Sequence, residues 1–146
     1  MRVLAFGAFD PLHAGHAHFL HQARTLGNFL LVVVTRDSAI RAQKRREPFQ
    51  PEGERVAKVA ALPWVNKVTL GDAHPHYYEL LRRLNFDVVV LGYDQEPSDE
   101  VVRQELNKRG KQRVEIARLK PFRPEKYKSS YIRKSEMQSA ERKTTI

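Results

Sequence analysis

The chain has 146 residues, 41% of them hydrophobic, which is enough for one domain with a genuine core and excludes a mostly disordered polymer. It contains no cysteine, which excludes disulfides, thiolate metal sites and thiol nucleophiles, and no apolar run reaches the roughly 18 to 20 residues of a membrane span. The +9 formal charge is lopsided: residues 1–110 carry 15 basic and 13 acidic side chains, residues 111–146 carry 11 and 4, and such a basic tail suits a polyanionic partner.

In chain order, Val3 to Phe6 reads as a short strand whose apolar stretch stops too soon for a signal peptide, and the absence of cysteine fits the expectation of a cytoplasmic protein. From Ala14 to Leu26 the apolar positions Phe19, Leu20, Ala23 and Leu26 recur at helical spacing, with Gly27-Asn28 as a stop. Phe29 to Val34 is the continuous apolar run of a strand buried on both faces. The polar, basic stretch Ser38 to Glu52 holds two prolines and reads as a connection, and a helix is expected from Glu54 to about Leu62.

Val65 to Leu70 predicts another strand, ended by Gly71-Asp72. Tyr77, Leu80, Leu81 and Leu84 share one helical face. Val88 to Leu91 predicts a buried strand ending at Gly92, and Ser98-Asp99-Glu100 a helix start that leads to Arg109, with Gly110 as its cap. Arg113 to Leu119 predicts the last strand, and Ser129 or Ser130 a cap for a final helix. Strands alternating with helices over short connections imply an α/β fold: a Rossmann-like, doubly wound, five-stranded parallel sheet with helices on both faces.

In such sheets ligands sit beyond the carboxyl ends of the strands. The segment there after the first strand is Gly7-Ala8-Phe9-Asp10-Pro11-Leu12-His13-Ala14-Gly15-His16. A side-chain-free Gly15 lets a phosphate approach the backbone, and the helix N-terminus offers free N–H groups and positive potential. His13 and His16 add imidazole donors at the same point, an arrangement suited to charge growing on a phosphate during transfer. With no thiol and no serine paired to a base, the nucleophile is expected to be the second substrate's own oxygen. His13, His16, His18 and His21 could instead form a zinc cluster, but no acidic or fourth ligand falls at a convincing spacing, so no metal ligand is assigned. His18 and His21 read as exposed helix residues, and His74 and His76 as loop residues.

The Gly7-Ala8-Phe9-Asp10-x-x-His13-x-Gly15-His16 segment resembles the G-T-F-D-x-x-H-x-G-H signature of the HxGH nucleotidyltransferase superfamily, with Ala8 in place of threonine. Ser129-Ser130-Tyr131-Ile132-Arg133 resembles that superfamily's second signature, and the likeness spans about residues 2 to 134. Val34-Thr35-Arg36-Asp37-Ser38, Arg46-Glu47-Pro48 and Leu91-Gly92-Tyr93-Asp94-Gln95 look most like the archaeal-type FAD synthases. The R-T-x-G-I-S-T-T segment usual in the related cytidylyltransferases is absent; Arg123 to Ser130 stands in its place.

The resemblance implies a nucleotidyltransferase domain over residues 1–134 and a polar tail over 135–146. It implies His13 and His16 as catalytic contacts to the α-phosphate, with Ala8, Phe9 and Gly15 lining the nucleotide pocket. Ser129, Ser130 and Arg133 would hold the outer phosphates, and Asp94 the base or ribose. Asp10 would orient the loop and Lys44 close over phosphates. It further implies magnesium carried with the triphosphate, a phosphorylated small-molecule acceptor, and a homodimer, with no nucleic-acid partner expected. The expected reaction is AMP transfer from ATP to FMN. The alternatives are cytidylyl transfer to glycerol 3-phosphate or a similar ester, and a non-catalytic nucleotide or nucleic-acid binder.

Overall fold

Three largely apolar runs form the buried centre of the sheet, β1 (Arg2–Gly7), β2 (Phe29–Val34) and β4 (Val88–Leu91), and two partly exposed edge strands flank them, β3 (Lys67–Leu70) and β5 (Glu115–Arg118). The computed structural model describes residues 1–73 and 77–120. All four strand pairings are parallel, in the order β3-β2-β1-β4-β5, so β1 is central and the expected doubly wound sheet is present. Its register sets Gly7 opposite Val34 and Ala5 opposite Val32 and Val90.

Alternation along the strands divides the core in two. Val3, Ala5, Leu30, Val32, Val34, Val88 and Val90 face a layer that contains Leu20 and Ala23 of α1 (Ala14–Arg24) and Val59 of α3 (Glu52–Ala60). Leu4, Leu31, Val33, Val89 and Leu91 face the other way, against Leu80, Leu81 and Phe86 and against Val102 and Leu106 of α4 (Asp99–Lys108). Ser98 caps α4 by accepting from the Val101 N–H, and Gly110 takes the left-handed φ of +76° past its end.

Three expectations are corrected. The basic stretch after β2 contains a helix, α2 (Asp37–Lys44), which buries Ala39 and Ile40 and ends on a left-handed Arg45. The apolar face at Tyr77, Leu80, Leu81 and Leu84 forms only a 3-10 turn, Glu79–Arg82, in place of a full helix. Leu80 and Leu81 still reach the core, so one turn is enough to bury them. His21 is buried with its ring edge-on to Trp64 at 5.0 Å, and His18 is half-buried, because both lie on the side of α1 that turns inward. The final helix, His74, His76 and the 135–146 tail lie outside the described residues.

Candidate active site

The turn between β1 and α1 is shaped by its two glycines. A Cβ on Gly7 would come within 2.5 Å of the Phe9 ring, so Gly7 makes room for that ring. Phe9 is buried although its φ is +50°, a conformation costing on the order of 1 kcal/mol outside glycine, and the buried ring holds it there. A Cβ on Gly15 would come within 2.9 Å of Cε1 of His13. Gly15 is therefore needed first for the seat of the His13 ring, beyond any approach of a phosphate to the backbone.

The two imidazoles cap the helix reciprocally. His13 Nδ1 accepts from the N–H of Gly15 (3.0 Å) and of His16 (3.4 Å), and His16 Nδ1 accepts from the N–H of His13 (3.3 Å). This is a capping box built from two histidines in place of the usual Ser/Thr and Glu. The rings stack at 3.6 Å between centroids and 20° between planes, and the Phe9 ring meets His16 edge-on at 5.3 Å. A nitrogen that accepts carries no proton, so each neutral ring is the Nε2–H tautomer, a donor at the edge away from the backbone. Burial, then the charges of His13 and Lys44, push the His16 pKa down to about 4 against the pull of the Pro11 carbonyl. In the free protein at pH 7 that ring is a neutral donor.

Asp10 turns away from the histidines. Its buried carboxylate accepts from the N–H of Gln50 (2.8 Å) and of Phe49 (2.9 Å) and pairs with Arg46 at 3.1 Å. Burial alone would raise its pKa, but those two amides, Arg46 and the charge of Arg55 outweigh it and hold the carboxyl below its ordinary value. Asp10 thus ties the histidine turn to the 46–50 loop, in keeping with an orienting role. Arg46 is engaged by Asp10 and by the Phe49 ring, 4.5 Å away, which leaves Lys44 as the member of that basic run that lines the cleft.

A functional residue that sequence reasoning missed is Arg55, on α3 and 0% exposed. Its guanidinium donates to the carbonyls of Ala8 (2.8 Å), Thr35 (2.7 Å) and Gln50 (2.9 Å) and to the Asp37 carboxylate (2.6 Å). One cation therefore fixes three loops around the histidine turn. Arg55 lies four positions before the buried Val59, and a charge on that inward stripe was the available signal.

Gln95 and Arg118 do the same at the end of β4. Gln95 accepts from the Gly92 N–H (2.9 Å) and donates to the Phe6 carbonyl (3.1 Å), joining the mouths of β1 and β4. Arg118, from β5, donates to the carbonyls of Gly92 (2.6 Å) and Gln95 (2.8 Å) and to Asp99. Asp94 stands exposed on the loop they anchor.

Ala8, Phe9, Asp10, His13, Gly15, His16, Lys44 and Asp94 all line one cleft of about 960 Å³ at the carboxyl ends of the strands. That is the upper end of the roughly 300–1,000 Å³ usual for ligand sites. Ser129, Ser130 and Arg133 lie outside the described residues. Among the described residues no three His, Asp or Glu side chains converge as a metal site. No helix among them is long and apolar enough to cross a membrane.

A doubly wound sheet with a histidine pair capping its first helix is the architecture of a nucleotide-binding α/β protein. The cytidylyltransferase-like family matches residues 4–135, and the chain belongs to that family of nucleotidyltransferases. Within it, the FAD synthase of Thermococcus onnurineus is 47% identical over 110 residues, covering 75% of this chain and 73% of that one. The FAD synthase of Thermococcus kodakarensis is 39% identical over 137 residues, covering 94% and 89%. Among solved structures, the lipopolysaccharide core biosynthesis protein from Thermoplasma volcanium superposes with a TM-score of 0.76 at 34% identity, covering 84% of this chain and 98% of that one.

Proposed function

We propose that this protein is an FMN adenylyltransferase, which moves AMP from ATP to FMN and releases pyrophosphate. A phosphate oxygen of FMN attacks the α-phosphorus, the bond from that phosphorus to the bridging oxygen breaks, and pyrophosphate leaves with the electron pair. Charge builds on the equatorial oxygens, where His13 and His16 donate through Nε2–H. The observation that carries this reading is the stacked pair whose tautomers are set by the cap, supported by the relatives named FAD synthase. Phe9 and Gly15 shape the pocket and Ala8 offers backbone, Asp94 meets the base or ribose, and Lys44 meets the outer phosphates. Ser129, Ser130 and Arg133 hold those phosphates too, on the strength of the second signature.

Magnesium fits as an ion carried by phosphate oxygens and water, since the loop's carboxylate, Asp10, is bound to Phe49, Gln50 and Arg46. When bound it would neutralise phosphate charge. Residues 1–134 form the transferase unit, a division supported by the family match ending at residue 135. The unit acts as a homodimer in the cytoplasm, which light scattering and fractionation would check.

Purified protein incubated with FMN and ATP, and in parallel with FMN and CTP, tests the assignment. FAD is expected with ATP. No FAD from FMN and ATP, or CDP-glycerol from a further incubation with CTP and glycerol 3-phosphate, contradicts it.

A further inference from the structure

The pairing of β1 with β4 ends early. β1 stays in register with β2 through Gly7, opposite Val34, but with β4 only through Ala5, opposite Val90. Backbone directions show which bond would come next. The Leu91 carbonyl accepts from the Leu119 N–H on the β5 side (2.8 Å), and the Gly7 carbonyl accepts from the Thr35 N–H on the β2 side (3.0 Å). Successive residues of a strand turn their backbone groups to opposite neighbours, so the Gly92 N–H and the Phe6 carbonyl both face the gap between β1 and β4. Carried on by two residues, the register makes them donor and acceptor of one ladder bond.

The side-chain amide of Gln95 takes the place of that bond. Its oxygen accepts from the Gly92 N–H (2.9 Å) and its nitrogen donates to the Phe6 carbonyl (3.1 Å). One amide spliced into the ladder satisfies both backbone groups and holds them a second hydrogen bond apart, so the two strands part where the cleft begins. Gln95 is itself pinned: its backbone N–H donates to the Gly92 carbonyl (3.1 Å), and Arg118 donates to its carbonyl (2.8 Å). Beyond the gap, the His13–His16 turn on the β1 side and Asp94 on the β4 side both line the cleft.

Resting on the proposed function, we infer that Gln95 is a positioning residue whose amide sets the span between the phosphate site at the histidine turn and the base or ribose site at Asp94. That span matters only to a ligand that engages both sides, because a connected molecule gains from its second contact only where the geometry allows both at once.

Gln95→Ala removes the amide and lets the Gly92 N–H reach the Phe6 carbonyl directly. Scalar couplings across hydrogen bonds read this without any activity. In the unaltered protein the Gly92 nitrogen should couple to the side-chain carbonyl carbon of Gln95, and in the variant to the carbonyl carbon of Phe6. The KM for ATP in FAD formation should rise about tenfold or more in the variant, while the inhibition constant of inorganic tripolyphosphate, which occupies the phosphate side alone, stays within about twofold. A Gly92–Phe6 coupling in the unaltered protein overturns the assignment even if the variant fails to fold, and so does a folded variant that lacks that coupling. A KM for ATP that holds, or that rises in step with the tripolyphosphate constant, overturns it as well. An unaltered enzyme that makes no FAD contradicts the functional reading itself, a separate result on which the couplings do not depend.

Discussion

Each histidine at the start of α1 has two edges with different tasks. Nδ1 closes the helix cap, while the proposed reaction uses Nε2, so stability and catalysis can be separated by a side chain that keeps the first and loses the second. Asparagine is such a side chain, because its amide oxygen is a good N-cap acceptor. His13→Asn should keep stability within about 1 kcal/mol in urea melts, while FAD formation falls about 10²- to 10³-fold, the usual loss for one oxyanion donor. The lowered pKa of His16 gives a pH signature. Below pH 6.5 the unfolded chain takes up a proton that the folded ring refuses until about pH 4, so the unfolded state binds more protons and stability falls as the pH drops through that window. The shifted carboxylates, Asp10, Glu79 and Glu105, contribute only near and below their ordinary values of 3.8 to 4.5, so of these four groups His16 alone acts in the upper part of the window. In His16→Asn the midpoint temperature should have a shallower slope between pH 6.5 and about 5 than in the unaltered protein. A slope equal to that of the unaltered protein would place the titrating group elsewhere.

Elements that could be read from sequence are those whose burial is written as a run. Phe29–Val34 and Val88–Leu91 form strands with the expected bounds, because a strand covered on both faces needs every residue apolar. Asp37–Lys44 escaped notice because it buries only Ala39 and Ile40, while Arg41, Gln43 and Lys44 stand on its exposed side. The Tyr77–Leu84 face carried a helical spacing that the fold uses for one turn, which buries Leu80 and Leu81, while Leu84 packs against the same cluster partly exposed. The histidine loop was legible because its chemistry is local. Arg55 was not, because its partners at Ala8, Thr35, Asp37 and Gln50 come from distant segments. Removing that guanidinium leaves a partly buried carboxylate and three carbonyls without their donor, so Arg55→Met should cost about 3–5 kcal/mol in chemical denaturation. A loss below about 1 kcal/mol would show that the three loops hold together without it.

At the scale of the whole molecule, strand order decides where chemistry can happen. With β1 in the centre, the connections from β1 and β4 leave toward opposite faces, and the crevice between them opens at the carboxyl edge. Into that crevice the fold delivers the His13–His16 turn from one side and the Gly92–Asp94 loop from the other, with Gln95 bridging β1 and β4. The body that does this is nearly neutral, and the positive excess lies in residues 111–146. In the proposed reaction two stacked imidazoles, both protonated at Nε2, grip a bound triphosphate. Nitrogen-15 NMR of the imidazole side chains, recorded before and after saturation with ATP and magnesium in the absence of FMN, measures this directly. Both rings should begin as the Nε2–H tautomer, and both Nε2–H signals should move downfield as ATP binds. Either ring in the Nδ1–H form, or ATP binding that leaves both signals where they were, would contradict the account.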